Sequence, residues 1–517
     1  MPFSGVGLPA GVTHPISGAE TAVAAFVGWA AKGPANRAMA VSSPADFAAL
    51  YGGLSHAGGR PNFLGYAVQQ FFDNGGTQAY VVRVVWDGTL ATPVSPAPGP
   101  AATAQALVGG TLDLFAINPG QWANGLRIAV SQEPDGFTIQ ILDSQASVLE
   151  EFSNLSVEPT SPRYVVEMID QGSRCVTFVD PAHPESGVPS PTTPEPTGPG
   201  GVTLSGGADG EVLVPGGNGD FERALGLGLA ADFGVHLLDQ VRTVNLLCVP
   251  GETDGATVKQ LESYCAGRRA FLIVDCPEAS TASGLASGGP AGTGDDTSVT
   301  GSGAANAAYY FPWVQAPDPL AGGAPAAFPP CGFVAGIYAS TDVNQAVWKA
   351  PAGSAAVLLG ASGLEQNSTD ADVSALSPVA VNCLRTIEGL GTVVWGARTL
   401  QGSEGGGSQW MYVPVRRLAL FMESSLYLGT QWAVFEPNAE PLWSQIRLNV
   451  GTFLQGLFLQ GAFQGSSPQQ AYFVKCDAEN NPQSSVELGV VNILVGFAPL
   501  QPAEFVVIQI QQLACGT

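Results

Sequence analysis

Apolar runs and helical patterns alternate over the first ninety residues of the chain. The run at 22–29 is short enough for a buried strand, and the segment 43–51 begins with Ser43 and Pro44, which are favourable at a helix N-terminus. A second helical pattern starts at Phe63 and ends at Asn74-Gly75-Gly76, before a further strand at 79–86. This order predicts α/β structure.

A second unit of the same kind follows later in the chain. Residues 243–249 and 271–275 are apolar runs, and residues 256–268 between them have a helical pattern. The three segments predict a strand-helix-strand unit with parallel strands and a right-handed crossover. The core domain is therefore expected to be an α/β domain that is interrupted by residues between the two units.

The last part of the chain is predicted to contain two long helices and a terminal strand. Apolar residues recur at helical spacing over 415–426 and again over 442–457. The closing run 505–512 is rich in β-branched residues and follows Pro502, so it predicts a strand that needs a partner sheet.

Charge marks an insertion between the two α/β units. The 517 residues include only 12% charged ones, with a net charge of -24, and residues 88–225 alone hold four basic and sixteen acidic residues. Proline-rich stretches at 92–103 and 181–199 border this region, which indicates a solvent-facing module between linkers. The Gly/Ser/Thr-rich stretch 279–305 predicts a long flexible loop.

These patterns give a mixed α/β fold of several domains. We expect an interrupted α/β core, an inserted β-rich outer domain, and an α/β C-terminal domain that ends in a strand arm. The expected boundaries are 1–20 for an N-terminal arm, 21–87 with 226–380 for the core, 88–225 for the acidic insertion, 381–501 for the C-terminal domain and 502–517 for the terminal arm.

Charge and composition argue against several function classes. A net charge of -24 disfavours a nucleic-acid partner and an anionic membrane surface, because both need clustered Lys and Arg. No lysine follows a glycine as in a phosphate-binding loop, and the four histidines and eight cysteines are dispersed without metal-ligand spacing. The start of the chain has no basic, apolar leader pattern, which predicts synthesis in the cytoplasm without membrane insertion. We expect no enzyme activity, no metal and no cofactor.

Arginines next to tryptophan or proline are the remaining polar candidates. They lie in 395–399, with Arg398, and in 414–417, with Arg416 and Arg417. Each arginine alone is more often paired within its own subunit. Alternatively, these arginines contact a neighbouring subunit. The sequence does not decide between the two interpretations.

Several strings in chain order resemble the contractile phage-tail sheath family, which includes the sheaths of extracellular contractile injection systems. They include PGQWANGLR at 119–127, WKAPA at 348–352 and WGARTL at 395–400. Further matching strings lie at 21–28, 71–76, 79–84, 204–210, 310–313, 412–417, 435–438, 473–477 and 502–505. Each string alone is weak, but together they cover nearly the whole chain collinearly.

The resemblance implies a structural subunit that forms stacked hexameric rings around an inner tube and contracts to drive that tube through a target envelope. The implied partners are further copies of the chain, the inner tube protein, and baseplate and tail terminator or cap proteins. Terminal arms of the family pair with sheets of neighbouring subunits. The expected C-terminal arm here consists of Glu504, Phe505, Val506, Val507, Ile508, Gln509 and Ile510.

The N-terminal arm departs from the family pattern. Members usually begin with an extended segment of the type P-G-V-Y-x-E-E, whereas this chain has only MPFSGVGLP before residues 10–16. A shortened arm implies either fewer links between rings or pairing through the segment 3–12.

The C-terminal domain is expected to face the tube, because its net charge is only -3. Gln445, Asn449 and Gln455 on the helix at 441–463 are the candidate contacts, although a helix buried entirely in the core needs the same apolar stripe. A second hypothesis is an acidic secreted or cell-surface adhesin, and a distant third is a hydrolase that uses Ser55. From the sequence we expect the chain to be part of a phage tail or of a phage tail-like particle that is released from the cell.

Overall fold

The computed structural model describes residues 14–86, 100–181, 187–188, 190–216, 219–228, 233–290, 303–403 and 408–502. In chain order the strands are β1 (Ala24–Trp29), β2 (Met39–Val41), β3 (His56–Ala57), β4 (Arg60–Pro61), β5 (Ala79–Val84), β6 (Ala101–Ala102), β7 (Gln105–Val108), β8 (Leu112–Ala116), β9 (Arg127–Glu133), β10 (Gly136–Leu142), β11 (Val148–Leu155), β12 (Val176–Thr177), β13 (Val202–Thr203), β14 (Ala208–Asp209), β15 (Leu246–Cys248), β16 (Phe271–Asp275), β17 (Ala307–Phe311), β18 (Val314–Asp318), β19 (Ala324–Phe328), β20 (Gly363–Leu364), β21 (Val381–Ile387), β22 (Gly391–Val394), β23 (Tyr472–Lys475) and β24 (Leu494–Phe497). The α-helices are α1 (Pro44–Tyr51), α2 (Phe63–Asp73), α3 (Val165–Gly172), α4 (Asp220–Ala224), α5 (Gly255–Arg268), α6 (Ala282–Gly288), α7 (Cys331–Asn344), α8 (Asp370–Leu376), α9 (Val413–Gly429), α10 (Glu440–Leu459), α11 (Pro468–Ala471) and α12 (Gln483–Glu487).

An eight-stranded sheet forms the centre of the molecule, in the order β2-β5-β1-β15-β16-β17-β21-β22. The six inner strands run parallel, and the edge strands β2 and β22 are antiparallel to their neighbours. Every residue of β1, β16 and β17 is buried, as expected for strands that are covered on both faces. The predicted strand-helix-strand unit of β15, α5 and β16 is confirmed.

Helices cover both faces of this sheet. Residues of α2 and α7 share one apolar cluster with β1, whereas residues of α5, α6 and α8 belong to the cluster on the other face. Gly332 lets α7 approach α2, since a Cβ at this glycine would lie 2.6 Å from the Ala67 backbone. The predicted mixed α/β fold is therefore confirmed, and the structure adds that helices cover both faces of the sheet.

The acidic insertion has an apolar core of its own. This core runs from Ala104 to Leu204 and is separate from the two clusters on the central sheet. Strands β6 and β14 pair at its base, where Ala102 lies opposite Ala208. Phe221 and Leu225, which the charge pattern assigns to the insertion, instead pack against the central sheet. Net charge could not locate this boundary because it does not report where apolar side chains pack.

The expected boundary at 380 also differs from the structure, because it divides the central sheet. Strand β21 pairs in parallel with β17, and β22 pairs with β21. The core therefore continues through β22. The reason is that strand pairing, rather than charge, decides which segments share a core.

Two long helices and a small sheet make up the C-terminal part. The helices α9 and α10 confirm the two helical patterns, and they pack with residues of β23 and β24 in a fourth cluster. Within the stretch 279–305, which was expected to be a loop, residues Ala282–Gly288 form α6, capped by the Thr281 side chain. Among the helices that the structure describes, none is long and apolar enough to cross a membrane.

Candidate assembly interface

Arg417 of α9 is held inside its own subunit. Its Nη1 and Nη2 donate to Oδ1 and Oδ2 of Asp342 at 2.8 and 2.6 Å, and Nη2 also donates to the Thr21 carbonyl oxygen at 2.9 Å. The guanidinium lies 4.9 Å from the ring centre of Tyr338, and the side chains of the ion pair are 4% and 2% exposed. This pair ties α9 to the end of α7, so the geometry favours the intrasubunit interpretation for Arg417.

Arg398 is likewise buried, whereas Arg416 reaches the surface. Arg398 Nη1 donates to the carbonyl oxygens of Ser377 and Gly402, at 2.9 and 3.1 Å. Arg416 donates to Asn306 Oδ1 and to the half-exposed Glu423, each at 3.1 Å. Of the three arginines, Arg416 is the one whose placement best fits a subunit contact, and that role stays a prediction.

The three polar residues that were expected to face the tube do not form one exposed face. Asn449 is 6% exposed, and its Nδ2 has no hydrogen-bond partner among the described residues. Gln455 is half-buried and accepts a hydrogen bond from the Tyr472 hydroxyl at 2.8 Å, and Gln445 is also half-buried. The expectation that Asn449 presents its amide on an exposed helix face is not met, because α10 turns this position toward the subunit.

The outer face of α10 carries other residues. Ser444, Leu448 and Thr452 are exposed at a helical spacing of four, and Leu448 has 61% of its surface accessible. Leu448 and Thr452 border a cleft of about 620 Å³ between α9, α10 and the segment around Ile16. Another molecule can therefore reach this stripe, as it can the exposed Leu459 near the end of α10.

The small sheet in the C-terminal part consists of only β23 and β24 among the described residues. Tyr472 to Lys475 pair antiparallel with Phe497 to Leu494, and no third strand from the described residues joins them. Phe473 and Leu494 are 54% and 52% exposed. A two-stranded sheet with exposed apolar side chains is marginally stable alone and offers two edges for strand addition.

The arm residues Glu504 to Ile510 and the N-terminal segment before His14 lie outside the described residues.

Ser55, the nucleophile of the third hypothesis, accepts a hydrogen bond from Asn62 Nδ2 at 3.2 Å, while His56 beside it contacts Asp318 at 2.6 Å. These contacts favour a structural role for both side chains.

Part of the central sheet lies in a segment that matches a known family model. Residues 237–400 match the model of the phage tail sheath protein central domain, a segment that runs from the approach to β15 to just beyond β22. This match supports the resemblance to the contractile tail sheath family that the sequence indicates. No similar sequence was found among curated proteins.

Solved structures extend the similarity of fold to nearly the whole chain. The chain is similar to a protein in the contracted sheath complex of PVC, an extracellular contractile injection system, with 21% identity, coverage of 99% and 98% of the two chains, and a TM-score of 0.58. It is equally similar to a protein of the contracted helical sheath of the anti-feeding prophage, with 21% identity, 99% of both chains and a TM-score of 0.58. The sheath tail protein Lin1278 of Listeria innocua has 11% identity over 94% and 96% of the chains, with a TM-score of 0.57.

The partner of Arg417 and the open sheet were not evident from the sequence. Asp342 lies 75 residues before Arg417. The string YFVK at 472–475 contains aromatic and β-branched residues, which is a weak strand signal.

Proposed function

We propose that this chain is the structural subunit of a contractile tail sheath, which stacks in hexameric rings around an inner tube and contracts to drive the tube through a target envelope. The sheath central domain at 237–400 and the fold similarity to sheath proteins support this proposal. The observation that carries it is the open, apolar sheet of β23 and β24, since a polymer needs an incomplete surface that a second copy completes.

The proposed link between subunits is strand addition. The run FVVIQI at 505–510 has a high β propensity, and nothing in its sequence contributes charge between Glu504 and the C-terminus. When it is added to an edge of the β23–β24 sheet of a neighbouring copy, its backbone N–H and C=O groups supply hydrogen bonds. Pro502 ends the preceding segment and lets the arm leave in a new direction.

The insertion is proposed to lie on the outer surface of the sheath. Its sixteen acidic residues far outnumber its four basic ones, so packing it between subunits or against a tube would desolvate many unpaired carboxylates. Its apolar core is separate, and it is joined to the core domain through the β6–β14 pair, the hydrogen bond from Arg83 to the Pro119 carbonyl oxygen and the contact of Lys32 with the Trp122 ring.

The inner surface is proposed to include α10. Contact with an inner tube through Gln445 and Gln455 would use half-buried amides, and the exposed stripe of Ser444, Leu448 and Thr452 lies on the same helix. Asn449 lines the cleft beside Leu448 and Thr452. Weak polar contacts suit this role, because a tight apolar seal would have to break during contraction.

The remaining partners follow from the same role. A sheath of finite length has two ends. It requires baseplate proteins at one end and terminator or cap proteins at the other. Assembly is proposed to occur in the cytoplasm, as part of a phage tail or a phage tail-like particle that is released later. The role needs no catalytic centre, cofactor or nucleic acid.

Electron microscopy of the purified full chain tests the proposal. We expect hollow helical cylinders for the wild type and for the Val506→Thr/Val507→Thr variant, which keeps both backbone donors and the β propensity. The Val506→Pro/Val507→Pro variant removes two neighbouring N–H groups, one for each side of the strand, and should remain a soluble, folded monomer.

Two outcomes would contradict the proposal. Cylinders of normal yield from the double proline variant would refute strand addition by the arm. A wild-type chain that stays monomeric at all concentrations, alone and with its tube and baseplate proteins, would refute the sheath role and favour the adhesin hypothesis.

A further inference from the structure

The two faces of the β23–β24 sheet differ in what covers them. Side chains alternate between the faces along each strand, and directly paired residues share a face. One face packs against the apolar cluster of α9 and α10 through Tyr472, Val474, Val495 and Phe497. The opposite face, which we term the outer face, carries Phe473, Lys475, Leu494 and Gly496.

The outer face is apolar and open to solvent. The Phe473 ring lies across Gly496, where a Cβ would be 2.1 Å from a ring carbon, and Phe473 and Leu494 are each about half exposed. Leu488 and Val490, in the segment that leads into β24, are 80% and 45% exposed. Grouped apolar side chains of this kind on the surface of a soluble protein mark an interaction site.

Phe435 projects from a loop that borders this segment. Its side chain is fully exposed, and its φ of 71° lies in the left-handed region, which a bulky side chain rarely adopts. Asn438 fixes the loop, because its Nδ2 donates to the Val490 carbonyl oxygen at 3.0 Å and its Oδ1 accepts from Trp443 Nε1 at 2.8 Å. Backbone strain that persists in a fixed loop indicates a functional position.

The sequence of the C-terminal arm indicates that the outer face is covered once a strand has been added. Phe505 and Val507 belong to one side of such a strand, and Val506, Ile508 and Ile510 belong to the other. Strands that are apolar on both sides are typically buried on both faces. An arm added to an edge of the β23–β24 sheet would therefore bring apolar side chains to the outer face as well as to the face against α10.

A second copy of the chain is the occupant that fits the outer face. In the proposed function, on which this inference rests, a neighbouring copy supplies the arm, so the molecules nearest to the outer face are further copies. Lys475 on this face is paired with Glu479 within the subunit, which favours an apolar partner over an anionic one. With only 12% charged residues, the chain itself offers a surface of that character.

We propose that the outer face, together with Phe435, is a second docking surface between copies, distinct from the sheet edge that accepts the arm. Phe435 is the anchor that packs into the neighbouring copy, and Phe473 and Leu494 form the apolar surface beside it. Each subunit is then held by backbone hydrogen bonds at an edge of the sheet and by side-chain packing on its outer face.

The Phe435→Gly variant of the full chain tests the anchor. Glycine adopts a positive φ without strain, so this variant should unfold at the same urea concentration as the wild type or at a higher one. Loss of the ring should raise the protein concentration needed for cylinders at least about 10-fold. Ala146→Gly is the matched control, because Ala146 is exposed in the insertion with a φ of 66°, and it should leave assembly unchanged.

The Leu494→Thr variant tests the outer face separately from the edge. Threonine keeps the β propensity and the backbone groups that pair with an arm, so only the apolar side chain is lost. The variant should raise the concentration needed for cylinders about 5-fold. Leu107→Thr, at a 59% exposed position on β7 of the insertion, is the matched control and should not change this concentration.

Electron microscopy over a series of protein concentrations measures these differences. Assembly of either Phe435→Gly or Leu494→Thr at the wild-type concentration would overturn this proposal and leave the sheath role in place. A lower urea midpoint for Phe435→Gly would show that the ring serves its own subunit and would overturn the anchor. Loss of only those cylinders that form around the tube protein would assign the outer face to the tube, which also overturns the proposal. A wild type that forms no cylinders would refute the sheath role and this surface with it.

Discussion

The buried pair of Arg417 and Asp342 allows the intrasubunit and interface interpretations of Arg417 to be separated. In Arg417→Met, the apolar side chain fills much of the same space but leaves the Asp342 carboxylate without its two donors, at a position where its side chain is only 2% exposed. Removing one partner of a buried pair costs about 3–5 kcal/mol, because the other charge stays buried and uncompensated. We therefore expect the free energy of unfolding to fall by that amount.

The double variant Arg417→Met/Asp342→Leu distinguishes a stranded charge from lost packing. It replaces both ions by apolar groups, which is often neutral or stabilising for buried pairs, so most of the loss should be recovered. The Thr21 carbonyl still loses a donor, and this leaves a deficit of about 1 kcal/mol. As a surface comparison, Lys475→Met removes an ion pair with the largely exposed Glu479 and should cost at most about 1 kcal/mol.

Urea unfolding of the soluble chain, followed by tryptophan fluorescence, measures these differences, and electron microscopy of the same samples gives the yield of cylinders. Arg417→Met should lower the free energy of unfolding, and the yield of cylinders should fall only as a consequence. If Arg417→Met unfolds at the same urea concentration as the wild type yet forms no cylinders, Arg417 acts between subunits and the intrasubunit assignment is refuted.

Two further predictions concern the core and the insertion. Burial raises the pKa of Asp275 from its ordinary value of 3.8 to about 6, although Gly251 and Cys331 donate backbone hydrogen bonds to its carboxylate. The contribution of Asp275 to stability is thus full below pH 3.8 and is lost as the pH rises through 6. Between pH 3.5 and 7 the wild type should therefore lose about 3 kcal/mol of its free energy of unfolding relative to Asp275→Asn, as measured by urea unfolding. A difference between the two proteins that does not change with pH would contradict this prediction. Replacing residues 103–207 by Asn-Gly should join Ala102 to Ala208 as a two-residue hairpin and leave a soluble chain that still forms cylinders, whereas an insoluble product would show that the core needs the insertion.

The sequence alone determined the local elements of the central sheet and their types. Ser43 and Pro44 marked the start of α1, and the fully apolar runs identified β1 and β16, because caps and burial periodicity are properties of neighbouring residues. The charge and proline content also indicated an insertion, and collinear strings indicated the family. These signals need no knowledge of which segments meet in space.

The tertiary structure alone decided the contacts between distant segments. β21 was assigned to another domain because its pairing with β17 depends on residues about 70 positions apart, and Asn449 was expected on a surface because a polar side chain at helical spacing carries no sign of what packs against it. Trp29, Phe63 and Pro250, which are distant in sequence, line one cavity beyond the ends of β1 and β15. Local sequence specifies the period and the ends of an element, whereas its partners are chosen by the packing of the whole chain.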